Sequence, residues 1–323
     1  MNYVQLGCSG LRVSRLCLGT MNLGKHVDER TSFSLLDAAL AAGINFIDTA
    51  DVYGGVGSRG RTEEIIGRWL CQEGGRREKV VLATKVYGKM GGGANERGLS
   101  AYHIRYACEN SLRRLQTDHI DLYQMHHVDR ATPWEEIWQA MGQLQQAGKI
   151  VYTGSSNFAA WNIVQAQYTA RERHLPGLIS EQSLYNLTNR VVELEVIPAC
   201  RALGIGLIPW SPLAEGLLAG AFDDTKGLRR KTEPVQKQLA RFRKQVEHYE
   251  LFCKSSGKLP EAVALAWLLK NPIVSSVIIG PRTVEHLHGM VRGMETDLRG
   301  DELKALDEIW PGPGGEAPEA YAW

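Results

Sequence analysis

The chain has 323 residues and several conspicuous shortages. Its six cysteines (Cys8, Cys17, Cys71, Cys108, Cys200 and Cys253) include no Cys-x-x-Cys pair. That spacing argues against a zinc ribbon or a disulfide framework and for isolated, reduced thiols. Charge of one sign is also scarce, with 37 basic residues against 36 acidic ones. No long like-charge block offers a footprint for nucleic acid or an acidic membrane. No apolar run is long enough to span a bilayer. The opening Met1-Asn-Tyr-Val-Gln lacks the basic and then apolar pattern of a secretory leader, so a cytoplasmic protein is expected. What remains is 44% hydrophobic and 23% charged, enough for a full core.

The order of elements is an alternation. Tyr3-Val-Gln-Leu and Val13-Ser-Arg-Leu flank Gly7-Cys-Ser-Gly10 and read as a β-hairpin. Apolar, β-branched runs then fall near 16–19, 44–48, 80–84, 120–125, 150–154, 178–181, 205–210 and 276–279. Helix-period segments lie near 29–42, 62–71, 100–115, 133–147, 158–171, 191–203, 260–270 and 283–292. Asp28 is placed to cap the first helix and Gly43 to end it. Pro133 suits a first helical position. The strand runs are continuously apolar, as expected for parallel strands buried on both faces. Eight strands alternating with eight helices predict an α/β fold, a closed (β/α)8 TIM barrel, taking residues 1–323 as one barrel domain. A long loop at about 215–259 follows the seventh strand and includes the basic run at 226–231. It is expected to act as a lid or binding loop. One more helix and a Pro/Gly tail occupy about 300–323. No Gly-x-Gly-x-x-Gly follows the first strand, which disfavours a doubly wound dinucleotide fold.

Four polar residues sit where strands should end: Asp48, Tyr53 a few residues later, Lys85 and His126. A parallel barrel brings all such ends to one face. Singly, each has a plain reading. Asp48 suits a turn cap, Tyr53 a loop aromatic, Lys85 a solvated strand-end lysine, and His126 a hydrogen-bonded core histidine. Together they suit carbonyl reduction. A Tyr can protonate a carbonyl oxygen, but its free pKa, near 10, must be tuned. A neighbouring ammonium lowers it, and that ammonium needs a carboxylate in a partly dry site. A His can hold the carbonyl oxygen. The His126-His127 pair supplies no plausible metal-ligand set, so no metal is expected.

The combination Gly19-Thr-Met21, Asp48-Thr-Ala-Asp-Val-Tyr53-Gly, Thr62-Glu-Glu-Ile-Ile-Gly67, Thr84-Lys85, Asp121-Leu-Tyr-Gln-Met-His126, Gly154-Ser-Ser-Asn157-Phe, Gln182-Ser-Leu-Tyr-Asn186 and Pro209-Trp-Ser-Pro-Leu213 resembles the aldo-keto reductase superfamily, over about residues 3–310. The resemblance implies a (β/α)8 barrel plugged by an N-terminal hairpin, and hydride transfer from NADPH, less often NADH, to an aldehyde or ketone. It makes Tyr53 the acid, Lys85 and Asp48 its tuning pair, and His126 the orienting donor. It puts Ser156, Asn157 and Gln182 on the nicotinamide carboxamide and stacks Trp210 on the ring. Gly19, Thr20 and Met21 then pass the reacting end of the cofactor, which Asp48 also adjoins. Ser211, Leu213, Gly216 and Leu218 line the pyrophosphate. Met21, Tyr53, Tyr87, His126, His127 and Trp210 form the substrate pocket.

After the eighth strand the family pattern is kept at Gly280 and Arg282, a residue suited to a 2′-phosphate. The chain departs from it at His286, where Gln is common, and at Met290, where Asn is common. His286 is expected one helical turn beyond Arg282, on the same face. The resemblance is to the bacterial branch with aryl-alcohol, aldehyde and sugar-ketone reductases. It makes a keto sugar or nucleotide-linked keto sugar a candidate substrate. A homo-oligomer is compatible with it. Channel β-subunits share the fold and the four residues, so the alternative is a cofactor-sensing regulatory subunit with little turnover. The short N-terminus favours the enzyme.

Overall fold

A computed structural model describes residues 1–55, 57–222 and 233–322; the basic run at 226–231 and Trp323 lie outside them. The chain opens with an antiparallel hairpin, β1 (Tyr3–Gln5) and β2 (Arg12–Ser14). Eight parallel strands follow: β3 (Leu16–Gly19), β4 (Phe46–Asp48), β5 (Val81–Val86), β6 (Ile120–Met125), β7 (Ile150–Ser156), β8 (Leu178–Leu184), β9 (Gly206–Trp210) and β10 (Val277–Ile279). Their order around the sheet is β10-β3-β4-β5-β6-β7-β8-β9. The ring closes between β9 and the residues leading into β10. There the Leu207 N–H donates to Ile273 O, and the Ser275 N–H to Leu207 O, each at 2.9 Å.

Helices α1 (Glu29–Ala41), α2 (Arg61–Leu70), α3 (Ala101–Leu115), α4 (Trp134–Gln146), α5 (Ala160–Glu172) and α6 (Val196–Leu203) connect the first seven barrel strands. Helices α7 (Glu233–Arg241), α8 (Arg243–Ser256) and α9 (Pro260–Lys270) lie between β9 and β10. Helices α10 (Val284–Gly293), α11 (Gly300–Ile309) and α12 (Glu319–Ala322) end the chain. Asp28 caps α1 as expected, its Oδ1 accepting from the Thr31 N–H at 2.8 Å.

Two apolar layers result from the inward and outward alternation of the strands. The inner one fills the base of the barrel. Leu6 and Val13 of the hairpin segment meet Cys17, Phe46, Ala83, Leu122 and Ile208 there. Each large side chain wholly buried in it contributes roughly 1.5–3 kcal/mol. The outer layer joins strands to helices and includes Trp69, Trp138 and Tyr123. Among the described residues, the polar inward side chains Asp48, Lys85, Gln124 and Gln182 lie beyond this filled base, toward the C-terminal mouth of the barrel.

Four expectations need correction. The helix predicted over 191–203 is broken into a 3₁₀ turn, Val191–Glu193, and α6. Pro198 has no N–H to give Leu194 O, so one continuous helix cannot form there. Pro133 is the residue before α4 rather than its first helical residue. The stretch 215–259 is not simply a loop, because 233–256 is largely helical. Val246, Tyr249 and Cys253 recur at helical spacing and bury one face of α8. Arg282 lies before Thr283, the N-cap of α10, so it shares no helical face with His286.

Candidate active site

The site is built from strand ends. Gly19, Asp48, Ser156 and Trp210 are the last residues of β3, β4, β7 and β9. Lys85 is next to last in β5, Gln182 lies near the end of β8, and His126 and Gly280 come one residue after β6 and β10. The α2 motif braces this rim from outside. The Thr62 hydroxyl donates to Leu23 O at 2.9 Å. Buried Glu63 accepts from the Thr84 hydroxyl at 2.6 Å and from Arg114 Nε at 2.7 Å, fixing the residue beside Lys85.

Lys85 is wholly buried and its ammonium is central. Nζ donates to Asp48 Oδ2 at 2.5 Å, to Thr49 O at 2.9 Å and to the Tyr53 hydroxyl at 3.4 Å. It also lies 5.0 Å from the Tyr53 ring centre. The other carboxylate oxygen, Asp48 Oδ1, accepts from Gln124 Nε2 and Gln182 Nε2, both at 2.9 Å. His126 meets Tyr53 edge to face, ring centres 5.9 Å apart, and stacks on His127 at 5.1 Å. Tyr87 packs edge-on to His127 at 5.4 Å. Met21 is 47% exposed, so it presents apolar surface to anything at the mouth.

Burial opposes every charge here, and the pairing decides the outcome. Burial pulls the Lys85 ammonium down, but Asp48 and then Tyr53 outweigh it, leaving Lys85 above its ordinary value and charged. Burial pushes the Tyr53 phenol up. Lys85 pulls it back without cancelling that push. The expected net lowering of Tyr53 is therefore not found; the phenol holds its proton. Burial, with Lys85 and His127 adding repulsion, takes His126 down to about 2, so it is neutral at ordinary pH.

The residues expected to hold a cofactor are largely committed to one another. The Ser156 hydroxyl donates to Gln182 O at 2.9 Å. Asn157 Nδ2 donates to Ser156 Oγ at 2.9 Å and His126 O at 3.3 Å, while its Oδ1 accepts from Trp210 Nε1 at 3.1 Å. Gln182 Nε2 uses its second N–H on Gln124 Oε1 at 3.1 Å. The Thr20 hydroxyl donates to Asp48 O at 2.8 Å. A Cβ on Gly19 would come within 2.5 Å of the Ile278 side chain, so close approach of β10 already requires glycine there.

After β9 the backbone is strained. Ser211, Ala214 and Glu215 have φ of 56°, 46° and 57°, conformations costly for residues with a side chain and typical of functional loops. In that turn the Gly216 and Leu218 N–H groups both donate to Leu213 O, and the Leu218 side chain is in the core. Elsewhere on the rim, Asn22 Nδ2, from the segment after β3, donates to Gly280 O after β10 at 3.2 Å. Arg282 is half-buried and His286 exposed beyond it.

Two side chains that hold the site together were not among the sequence candidates. Glu181, outward-facing and wholly buried, accepts from Ser155 Oγ, from Ser183 Oγ at 2.8 Å and from the Phe158 N–H at 3.1 Å, anchoring the turn that carries Asn157. Gln124, inward-facing on β6, joins Asp48 to Gln182. A polar residue two before His126, on the same strand face, was the available signal.

The plugged eight-stranded parallel barrel brings Asp48, Tyr53, Lys85 and His126 to its mouth, the arrangement of the aldo/keto reductase class. The model of the aldo/keto reductase family matches residues 15–311, and the chain belongs to that family. It is an oxidoreductase dependent on a nicotinamide cofactor and acting on small carbonyl compounds. It is 52% identical to an "uncharacterized oxidoreductase YrpG" of Bacillus subtilis, covering 100% of both chains. It is 34% identical to a versiconal hemiacetal acetate reductase of Aspergillus parasiticus, over 95% of this chain and 96% of that one. It is also 38% identical to a probable voltage-gated potassium channel subunit beta of Arabidopsis thaliana, over 99% and 100%. No helix among the described residues is long and apolar enough to cross a membrane.

Proposed function

We propose that the protein reduces an aldehyde or ketone to the alcohol with NADPH, with Tyr53 as the proton donor. The observation that carries this reading is the buried Lys85 ammonium, held between Asp48 Oδ2 and the Tyr53 hydroxyl. When bound, the nicotinamide supplies the hydride. The protein supplies the rest. Tyr53 keeps its proton until negative charge develops on the carbonyl oxygen and then donates it. Lys85 stabilises the phenolate left behind, and Asp48 keeps Lys85 charged. Neutral His126 donates a hydrogen bond to the same oxygen and orients it.

The residues fit the cofactor. Trp210 is fixed through its Nε1–H, which leaves its ring for stacking. Gln182 has both N–H groups turned inward, which leaves Oε1 as an acceptor for the carboxamide. Ser156 and Asn157 fix the rim between those two. The turn that holds Ser211, Leu213, Gly216 and Leu218 would take the pyrophosphate, the Gly216 and Leu218 N–H groups shaping it through Leu213 O. Gly280, Arg282 and His286 would take the adenine-ribose end, with Arg282 meeting a 2′-phosphate. Met21, Tyr87 and His127 complete an apolar and aromatic substrate mouth. Keto sugars, aldehydes and aryl ketones are the substrates to test.

Identity to a channel β-subunit supports a second reading, a cofactor-binding regulatory subunit. Steady-state NADPH oxidation with a carbonyl panel separates the two. Turnover is expected; tight NADPH binding with no oxidation by any carbonyl would favour the subunit.

A further inference from the structure

We propose that Gln124 is a positioning residue that couples the two halves of the site. It holds the Asp48 carboxylate and dictates which atom Gln182 turns toward the barrel mouth. The inference rests on the functional reading given above.

Gln124 is wholly buried on the inward face of β6, in register with Lys85 of β5. Room for it comes from Gly154 on β7. A Cβ there would lie 3.3 Å from Gln124 Cγ and 2.5 Å from Ser180 Oγ. The third corner depends on an irregularity. Thr153 pairs with Leu178 but Gly154 with Ser180, so β8 carries one extra residue. That extra residue resets the alternation and points Gln182 inward, with Glu181 outward.

The three side chains form a triangle. Gln124 Nε2 and Gln182 Nε2 both donate to Asp48 Oδ1, and Gln124 Oε1 accepts the remaining N–H of Gln182. An amide has two N–H donors and one carbonyl. A carboxylate accepts only, so neither amide can turn over without facing an oxygen with an oxygen. Gln124 is what consumes the second N–H of Gln182. It therefore leaves the Gln182 carbonyl, and not its NH2, as the atom offered to an incoming carboxamide. The same contact holds Asp48 Oδ1 while Oδ2 faces Lys85. Orientation of the cofactor amide and placement of the proton-donor pair thus depend on one buried side chain.

Two variants of the full chain test this. Gln124→Leu removes a donor from Asp48 and releases the second N–H of Gln182, so that the Gln182 NH2 competes with its carbonyl for the carboxamide. A hydrogen bond to a charged group is worth about 10- to 100-fold in an equilibrium. NADPH affinity, followed by its fluorescence, is expected to fall about 10-fold or more. Affinity for 2′,5′-ADP, which lacks the nicotinamide, is expected to stay unchanged. Gln124→Glu keeps the shape and covers the case in which the Leu variant does not fold. Protonated, it still donates to Asp48; ionised, it repels it. Two carboxyls in contact share one proton, so this pair titrates above the usual carboxylate range. The kcat/KM of Gln124→Glu relative to wild type is expected to fall as pH rises from about 5 to about 8. Parallel profiles for variant and wild type, or equal weakening of NADPH and 2′,5′-ADP by Gln124→Leu, would overturn the inference. Failure of the wild type itself to oxidise NADPH with any carbonyl would instead defeat the underlying functional reading.

Discussion

Lys85 lies 2.5 Å from Asp48 but 3.4 Å from Tyr53, so its short bond is to the carboxylate and its long one to the phenol. The ammonium is therefore anchored by Asp48 and held in reserve for Tyr53. Its loss should be felt in stability as well as in rate.

Lys85→Met leaves Asp48 buried without its cation. Removing one partner of a buried pair costs about 3–5 kcal/mol, so denaturant unfolding should show a loss of that order. The Lys85 pKa is raised in the folded state, so its stabilisation is fully present below about 10.5, the ordinary lysine value, and is lost as pH rises through the folded value. Turnover should fall too, because the phenol becomes a still weaker acid. A variant with wild-type unfolding and wild-type kcat would refute the pairing.

Tyr53→Phe removes the proton donor but little of the packing. Cofactor binding should persist, while kcat falls by ~10²–10⁴-fold, the usual contribution of general acid catalysis. Near-normal turnover would take Tyr53 out of the mechanism.

His126 predicts an acid-side effect on stability. Its folded pKa of about 2 lies below the ordinary 6.5, so the unfolded chain binds the proton more readily. Stability attributable to neutral His126 is present above about pH 6.5 and is lost as pH falls below it. At pH 5 the loss is at most about 2 kcal/mol, and less because the ring is partly solvated. His126→Asn should flatten the drop in thermal midpoint between pH 7 and pH 5. An unchanged drop would show that other groups cause it.

The outline of this molecule was legible because each strand and helix carries its own signal. Asp28 before α1, the apolar runs of β5 and β6, and polar residues at their ends are all local. The triangle of Asp48, Gln124 and Gln182 was not, because it depends on register and on one extra residue in β8. Pro198 did signal a break, through its missing N–H. The α8 spacing Val246, Tyr249, Cys253 was also present, inside the long insertion at about 215–259 that was read as a loop.

Cofactor preference is the fourth test. NADPH should bind more tightly than NADH, and Arg282→Ala should weaken NADPH by roughly 2–3 kcal/mol with little change for NADH. The preference should shrink as salt rises. Equal losses for both cofactors would make Arg282 a support for the loop before α10.

The ring of strands has one thin place. Between β9 and β10 two backbone hydrogen bonds around Leu207 replace a regular ladder. In the strand order this seam faces β5 and β6, which carry Lys85 and Gln124 and lead into His126. It lies at the start of β9, beside Gly7 of the plugging hairpin, with the strained turn that begins at Ser211 at the other end of the strand. Local opening favours elements with few backbone bonds. Amide hydrogen exchange is therefore expected to be faster around Leu207 and Ser275 than along β5 and β6, where the ladder is regular.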